Sequence, residues 1–198
     1  MSLPTTGKIK KSALHLFAQK GYYGTSLNEV ALLVGIKKPS LYAHYKNKDE
    51  LYKTVIRDLI FIFKERVNLT KVEAFENNAK EQLFLIVEKM VNFWKEEDLG
   101  LLYKRSMLFP EEKFQDLIHE QFKESEEYTT KIINGIFAEA FQSGQIHPQP
   151  LKPLVDAFYC LVDGLFVQRF FYPSDQYNQK VIHAFNHYWN GIETGGKT

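Results

Sequence analysis

Cysteine is nearly absent from this chain: Cys160 stands alone among 198 residues. One thiol cannot close an internal disulfide or supply a multi-cysteine metal site. Its neighbours Tyr159 and Leu161 predict a buried structural thiol rather than a reactive one. Long apolar runs are missing as well. No stretch approaches the ~20 consecutive apolar residues of a membrane span, and the opening MSLPTTGKIKKS lacks the apolar centre of a secretory signal. The expectation is a cytoplasmic protein with no membrane partner. Strand-like alternation of useful length is absent, and no segment repeats another. Net charge is scarce: 25 Lys and Arg against 24 Asp and Glu give a formal +1, which does not point to a polyanionic partner. Hydrophobic and aromatic residues are plentiful, at 44% and 15%, enough for packed cores in one or two small domains.

The charge that is present is unevenly spread. Residues 1–50 hold eight lysines (8, 10, 11, 20, 37, 38, 46 and 48) against Glu29, Asp49 and Glu50, a net of +5, which leaves −4 on the other 148 residues. This reads as a basic unit joined to a mildly acidic body, or as chance clustering on a solvated surface. Half of these lysines fall in or beside one patterned stretch, Thr25 to Lys48, TSLNEVALLVGIKKPSLYAHYKNK. Leu27, Val30, Ala31 and Val34 recur at i, i+3, i+4 and i+7, the stripe of a short helix. Ser26 before the stripe and Glu29 three residues later form a capping box. Gly35 ends that helix where a positive φ costs little. A second short helix begins near Pro39, whose missing N–H is harmless in a first turn. Its Leu41 and Tyr45 face inward, leaving Lys37, Lys38, Ser40, Tyr42, Ala43 and His44 outward. Asn47 caps the next helix, with Glu50 at the reciprocal position. Two helices joined by a glycine turn, the second presenting Lys, Ser, Tyr and His, is the helix-turn-helix plan for the DNA major groove. On pattern alone, an ordinary helical hairpin with a solvated basic face fits as well.

The particular residues resemble the TetR family of bacterial one-component repressors. The resemblance rests on Phe17, Gly21, Gly24-Thr25-Ser26, Glu29-Val30-Ala31, Gly35-Ile36, Pro39-Ser40-Leu41-Tyr42, His44-Tyr45, and Lys46-Asn47-Lys48 followed by Leu51, roughly the first quarter of the chain. The remainder is similar only in length and all-helical character. The resemblance implies a homodimer on a palindromic operator of double-stranded DNA. It implies phosphate contacts from Thr25, Tyr42, His44 and Lys48, and base contacts from Asn28, Lys38, Pro39 and Ser40, with Ser26 and Lys37 completing the set. Lys38 can donate to guanine O6 or N7, and Pro39 can pack on a thymine methyl. Ala43 departs from the pattern, being small where related repressors often carry a larger residue.

The whole chain reads as all-α, about nine helices, with a helix-turn-helix domain over 1–50 and a ligand-binding and dimerisation domain over 51–198. Residues 8–20 form the first helix, burying Ile9, Ala13, Leu16 and Phe17, and Tyr22 and Tyr23 fill the loop after it. From Lys48 a long uninterrupted helix carries Leu51, Val55, Leu59, Phe63 and Val67. Residues 70–80 read as a loop. Helices then follow around Leu83–Trp94, Leu99–Met107, Phe114–Phe141 (ended by Gly144), Leu151–Phe166 (ended by Pro173) and 175–188. The last two are apolar over more than one face, and Ala157, Cys160 and Gly164 add a row of small residues. They read as a buried core pair or as the dimer interface, through Ala157, Leu161, Gly164, Leu165, Val181, Phe185 and Tyr188; the resemblance favours the interface.

Enzyme chemistry finds little footing. His183 and His187 are four apart, but Ala184 and Phe185 stand where a zincin needs its glutamate; His119-Glu120, His147, Asp163 and Arg169 complete no signature. No catalytic residue, metal or cofactor is predicted. The aromatic load suggests instead an apolar effector pocket lined by Phe93, Trp94, Tyr103, Met107, Phe137, Phe141, Phe158, Tyr159 and Phe166. Asn92, Arg105, Tyr128, Gln168 and Arg169 are candidates to orient the effector, a small apolar or aromatic molecule. Such a ligand would press on the long helix near Phe61 and Phe63 and swing the DNA-reading units apart. The alternative is a DNA-binding regulator controlled by a protein partner without a small effector; a helical enzyme ranks below both.

Overall fold

The computed structural model describes residues 4–73 and 78–195, with side chains of the first segment up to residue 68. Its described residues form nine α-helices: α1 (Thr5–Lys20), α2 (Leu27–Val34), α3 (Lys38–Tyr42), α4 (Lys48–Glu73), α5 (Ala79–Lys95), α6 (Glu97–Leu108), α7 (Gln115–Gln142), α8 (Leu151–Gln168) and α9 (Ser174–Asn190). A 3₁₀ turn at Glu112–Phe114 leads into α7. The fold is all-α; the only pairing of extended backbone among the described residues is one antiparallel bridge, Ile146 to Glu193.

The chain divides into two compact units, Met1–Phe63 with Glu96–Ser125, and Lys64–Lys95 with Glu126–Thr198. Helices α4 and α7 each contribute to both. In the first unit, α1 packs on α2 and α6. Its core joins Ile9, Ala13, Phe17, Val30, Leu41, Leu51 and Ile56. One end is an aromatic cluster: Phe17 meets Tyr52 edge-on at 4.9 Å, and Phe114 lies 4.9 Å from Tyr22 and 4.8 Å from Tyr52. Arg105 of α6 donates from Nε to the Ala18 carbonyl (2.7 Å) and from Nη2 to that of Gln19 (3.1 Å). A cation on the orphan carbonyls of a helix C-terminus satisfies acceptors and opposes the helix dipole. Arg105, expected to orient a ligand, therefore supports the reading unit instead.

The second unit holds α5, the later part of α7, and the α8–α9 hairpin around Leu83, Ile86, Phe93, Ile133, Phe137, Phe158, Tyr177 and Phe185. Its chain end is tied back by main-chain bonds from His147 to Ile192 (2.9 Å) and from Thr194 to Gln145 (3.0 Å). Gln145 Oε1 also accepts from the Ala79 N–H at 3.1 Å, capping α5 from 66 residues away.

Three element boundaries differ from the sequence reading. Helix α1 begins at Thr5, not Lys8, with Pro4 as its N-cap. The expected loop over 70–80 is helical up to Glu73 and again from Ala79, and 74–77 lie outside the described residues. Helix α8 stops at Gln168, well before Pro173, in tightened turns from Phe170 to Val167 and Phe171 to Gln168; Pro173 is the N-cap of α9. A proline pushes the residue before it out of the α region, so the helix has to unwind ahead of it.

Candidate nucleic-acid interface

Short-range capping and turn chemistry shapes the α2–turn–α3 unit. The Glu29 N–H donates to Ser26 Oγ (3.2 Å), and Glu29 Oε2 accepts from the Ser26 N–H (2.9 Å), closing the capping box. Lys20 Nζ donates to Glu29 Oε1 at 2.6 Å. That lysine, followed by the Ser26 hydroxyl and N–H, holds the Glu29 carboxyl at a pKa of about 2. Gly35 sits at φ 76°, ψ 32°, in the left-handed region, with Gly35 N–H on Leu32 and Ile36 N–H on the Ala31 carbonyl. This paired Schellman closure favours glycine, which loses nothing at positive φ. Gly24 is needed for a different reason: a Cβ there would come within 2.4 Å of the Lys20 carbonyl oxygen.

Helix α3 buries Leu41 and is followed by buried Tyr45, while Lys37, Lys38, Pro39, Ser40, Tyr42, Ala43 and His44 are exposed, as is Asn28 on α2. Tyr42 has a polar tip for a phosphate and lies under the Lys38 ammonium, 5.8 Å from its ring centroid. His44 Nδ1 shares a 3.2 Å hydrogen bond with Thr6 Oγ1. No carboxylate among the described residues pairs with the ammonium of Lys37, Lys38 or Lys46, whereas Lys10 pairs with Asp58 (2.6 Å) and Lys20 with Glu29. The face thus keeps unneutralised cations beside exposed hydroxyls, suited to polyanion contact.

Two expected phosphate contacts have work inside the unit. Thr25 is buried, its hydroxyl donating to the Gly21 carbonyl at 2.8 Å. Lys48 Nζ donates to the carbonyls of Tyr22 (2.8 Å) and Thr25 (2.9 Å) and stands 4.2 Å from the Tyr22 ring centroid. Both therefore shape the loop that sets up α2. Tyr22 is buried and donates to Asp49, while Tyr23 is exposed; burial, then the Asp49 bond, pushes the Tyr22 hydroxyl well above its usual range. Asn47 Oδ1 accepts from the Glu50 N–H (2.9 Å), but Glu50 reaches the Lys46 N–H (2.7 Å) rather than that of Asn47. The sequence reading passed over Leu32 and Leu33, exposed on α2 at 82% and 56%; both fall outside the buried stripe, which was the available signal.

The expected effector lining falls into both units. Tyr103 and Met107 belong to the first, where Tyr103 packs on Phe63 (5.3 Å) and Phe122 (5.0 Å). In the second, Phe93, Trp94, Phe137, Phe158 and Phe166 are buried and Tyr159 is half-buried. Met107 and Phe141 are exposed, because each lies in the last turn of its helix, where packing neighbours run out. Asn92 is exposed, and Tyr128 lies under the Lys64 ammonium at 5.5 Å. Phe63 is buried but Phe61 is exposed, so Phe61 is not part of a core through which force could pass.

On the α8–α9 hairpin, Ala157 and Gly164 are exposed and Leu161 and Tyr188 half-buried, with Tyr188 donating to the Leu154 carbonyl at 2.8 Å. Leu165, Val181 and Phe185, expected at a dimer interface, are instead buried within the chain's own core; Phe84 lies 5.0 Å from Phe185. The two helices are apolar on two faces, and Val181 and Phe185 belong to the inner one. The outer faces bound an open groove of about 390 Å³, lined by Cys160, Leu161, Gly164, Gln168, Lys180, His183 and Ala184, with the buried Leu165 also touching it. Cys160, expected to be buried, is exposed, because it lies on the outward face of α8. No group of three or more His, Cys, Asp or Glu among the described residues is placed to hold a metal ion, and no helix there is long and apolar enough to cross a membrane.

Residues 9–55 match the family model described as bacterial regulatory proteins, tetR family. The chain is 45% identical over 56 residues to the biofilm operon icaADBC HTH-type negative transcriptional regulator IcaR of Staphylococcus epidermidis, covering 28% of this chain and 30% of that one. The same regulator from Staphylococcus aureus is 31% identical over 94 residues, 44% of this chain and half of that one. The chain thus spans half or less of the curated relatives it matches. Two solved structures share the fold over nearly the whole chain. A transcriptional regulator of Saccharomonospora viridis in complex with choline has a TM-score of 0.74 at 17% identity, covering 94% of this chain and 96% of that one. The regulator FadR of Bacillus subtilis in complex with stearoyl-CoA has a TM-score of 0.70 at 18% identity, covering 98% and 100%.

Proposed function

The chain belongs to the TetR family of bacterial regulatory proteins, and on that premise we propose that it is a transcriptional repressor released from a palindromic operator by a small effector. The observation that carries the reading is the α2–turn–α3 unit, with Leu41 and Tyr45 buried and Lys37, Lys38, Pro39, Ser40, Tyr42 and His44 exposed. In this reading residues 1–50 bind DNA. Helix α3 enters the major groove, with Lys38, Pro39 and Ser40 at base edges and Tyr42, His44 and Lys37 at phosphates. Asn28 contacts bases from α2, and Ser26 serves as its cap. Thr25 and Lys48 act chiefly through the loop they hold, although Lys48 has a third N–H for a phosphate.

Residues 51–198 sense the effector and dimerise. The exposed small residues on α8 and the groove beside them support a two-fold interface through Ala157, Leu161 and Gly164. Paired recognition helices would then meet half-sites about 34–36 Å apart. The relatives support both halves: IcaR is a negative transcriptional regulator, and two fold neighbours hold small molecules. Catalysis has no part in this account. Selection of binding sites from random duplexes is the test: enrichment of a palindrome is expected, and enrichment of none refutes the specific-repressor reading.

A further inference from the structure

One end of the second unit gathers polar atoms that its own side chains leave unsatisfied. Trp94 Nε1 at the end of α5, Arg169 Nε just after α8 and the Tyr177 hydroxyl on α9 are buried donors without a hydrogen-bond acceptor among the described residues. Trp94 is 4% exposed and Tyr177 is 0% exposed. The three belong to one neighbourhood. The Arg169 guanidinium lies 6.0 Å from the Tyr177 ring centroid and Lys95 Nζ 5.9 Å from it, while the Trp94 ring stands 5.1 Å from Phe166, three residues before Arg169. Lys95 also donates to Asn178 Oδ1 at 2.8 Å. Phe166 and Phe170 meet edge-on at 5.4 Å and continue the apolar wall.

Two cations here face one aromatic ring, and no carboxylate among the described residues pairs with either. Burial, followed by the positive charge of Arg169, lowers the Lys95 pKa against the smaller opposing pull of Glu88, which forms no ion pair with it. A buried donor left unpaired is costly, and two like charges brought together add to that cost. An anion relieves both at once. The other unsatisfied atom at this end of α8, Gln168 Oε1, is an acceptor and has no part in holding one. A tetrahedral dianion brings far more desolvation than a carboxylate into a place where Trp94 and Tyr177 are closed from water. The flanking rings favour an apolar body.

We propose that this end of the unit binds the carboxylate of an amphipathic organic acid, held by Trp94, Lys95, Arg169 and Tyr177, with Phe166 and Phe170 against its apolar body. The proposal names the class of effector and so rests on the effector-sensing reading above. The full chain, labelled with ¹⁵N, is titrated with decanoate and benzoate, and with decanamide as the uncharged match. The chain has two tryptophans, and Trp189 Nε1 already donates to Glu193 at 2.9 Å, which makes its indole resonance an internal reference. Expected is a downfield shift of the Trp94 indole N–H with at least one acid, a still Trp189, and binding of the matching amide at least about tenfold weaker. Tyr177→Phe removes only the hydroxyl. It should weaken acid binding about tenfold while the unliganded protein melts no lower, since an unpaired polar group is lost. Neither acid binding, an unmoved Trp94 resonance, decanamide binding as well as decanoate, or displacement of decanoate by equal inorganic phosphate overturns the site. Operator affinity measured on the same preparation separates the two claims. Acid binding that leaves it unchanged keeps the site and removes the effector role; intact operator binding with no acid bound removes the site alone.

Discussion

The Lys48 ammonium is held by two loop carbonyls and the Tyr22 ring, whereas the Lys38 ammonium lies over the exposed Tyr42 ring of its own helix. Their alanine variants should therefore fail differently. Lys38→Ala should cost about 1–3 kcal/mol on the preferred operator and relax selectivity at one base pair. Lys48→Ala should lower the unfolding free energy by about 1–3 kcal/mol, because charge-assisted bonds are lost, and weaken all sequences alike. If Lys48 acts mainly through the loop, the slope of log affinity against log salt stays unchanged; a fall of about 1 would mark a direct phosphate contact. Glu29 gives a pH signature. Its carboxyl is held at about 2 by Lys20 and Ser26, below the ordinary 4.5, so it takes up a proton less readily folded than unfolded. Its stabilisation is complete above about pH 4.5 and fades as the pH falls towards 2. The stability gap between wild type and Glu29→Gln, read by denaturant unfolding, should be constant from pH 7 to 5 and shrink below that. A gap that widens on acidification contradicts the assignment.

At the scale of elements, α8 and α9 each carry two apolar faces with different fates. Gly164 is on the outer face, and a Cβ there meets nothing within 4 Å. Gly164→Glu should thus fold normally yet sediment as a monomer and lose operator binding. A wild-type chain that is monomeric at micromolar concentration, or a dimeric Gly164→Glu, sinks the interface. Phe185 is the contrast on the inner face, 1% exposed. Phe185→Ala should cost about 3–5 kcal/mol of stability through the cavity it leaves, a loss visible in the unfolding midpoint whether or not the chain is dimeric.

For the whole molecule, release of DNA by an effector is bound by thermodynamic reciprocity whatever the route between the two sites. Any effector that releases DNA must lose affinity when operator is bound by the same factor by which it weakens operator binding, typically 5–150-fold. Titrating effector with and without operator, and operator with and without effector, should return equal factors. A tight ligand that leaves operator affinity unchanged cannot be the switch, because equal affinity for both states shifts no equilibrium.

The all-α class and the helix-turn-helix unit were legible in the amino-acid order because their causes are local. The Ser26–Glu29 capping box, the Gly35 closure and the Leu41–Tyr45 stripe each act over a few residues, so spacing alone exposes them. Other features needed the tertiary structure. Arg105 caps α1 across 87 residues, which joins Glu96–Ser125 to the first unit although the order of the chain places it deep in the second half of the sequence-based division. Lys48 turned inward, while Leu165, Val181 and Phe185 went to the core rather than to an outer face. Periodicity shows that a helix has an apolar stripe, but which neighbour covers that stripe depends on long-range packing. The same limit hid the cluster of Trp94, Lys95, Arg169 and Tyr177. Its members come from the end of α5 and from either side of the α8–α9 turn, and only packing reveals that the donors of Trp94, Arg169 and Tyr177 are buried without partners.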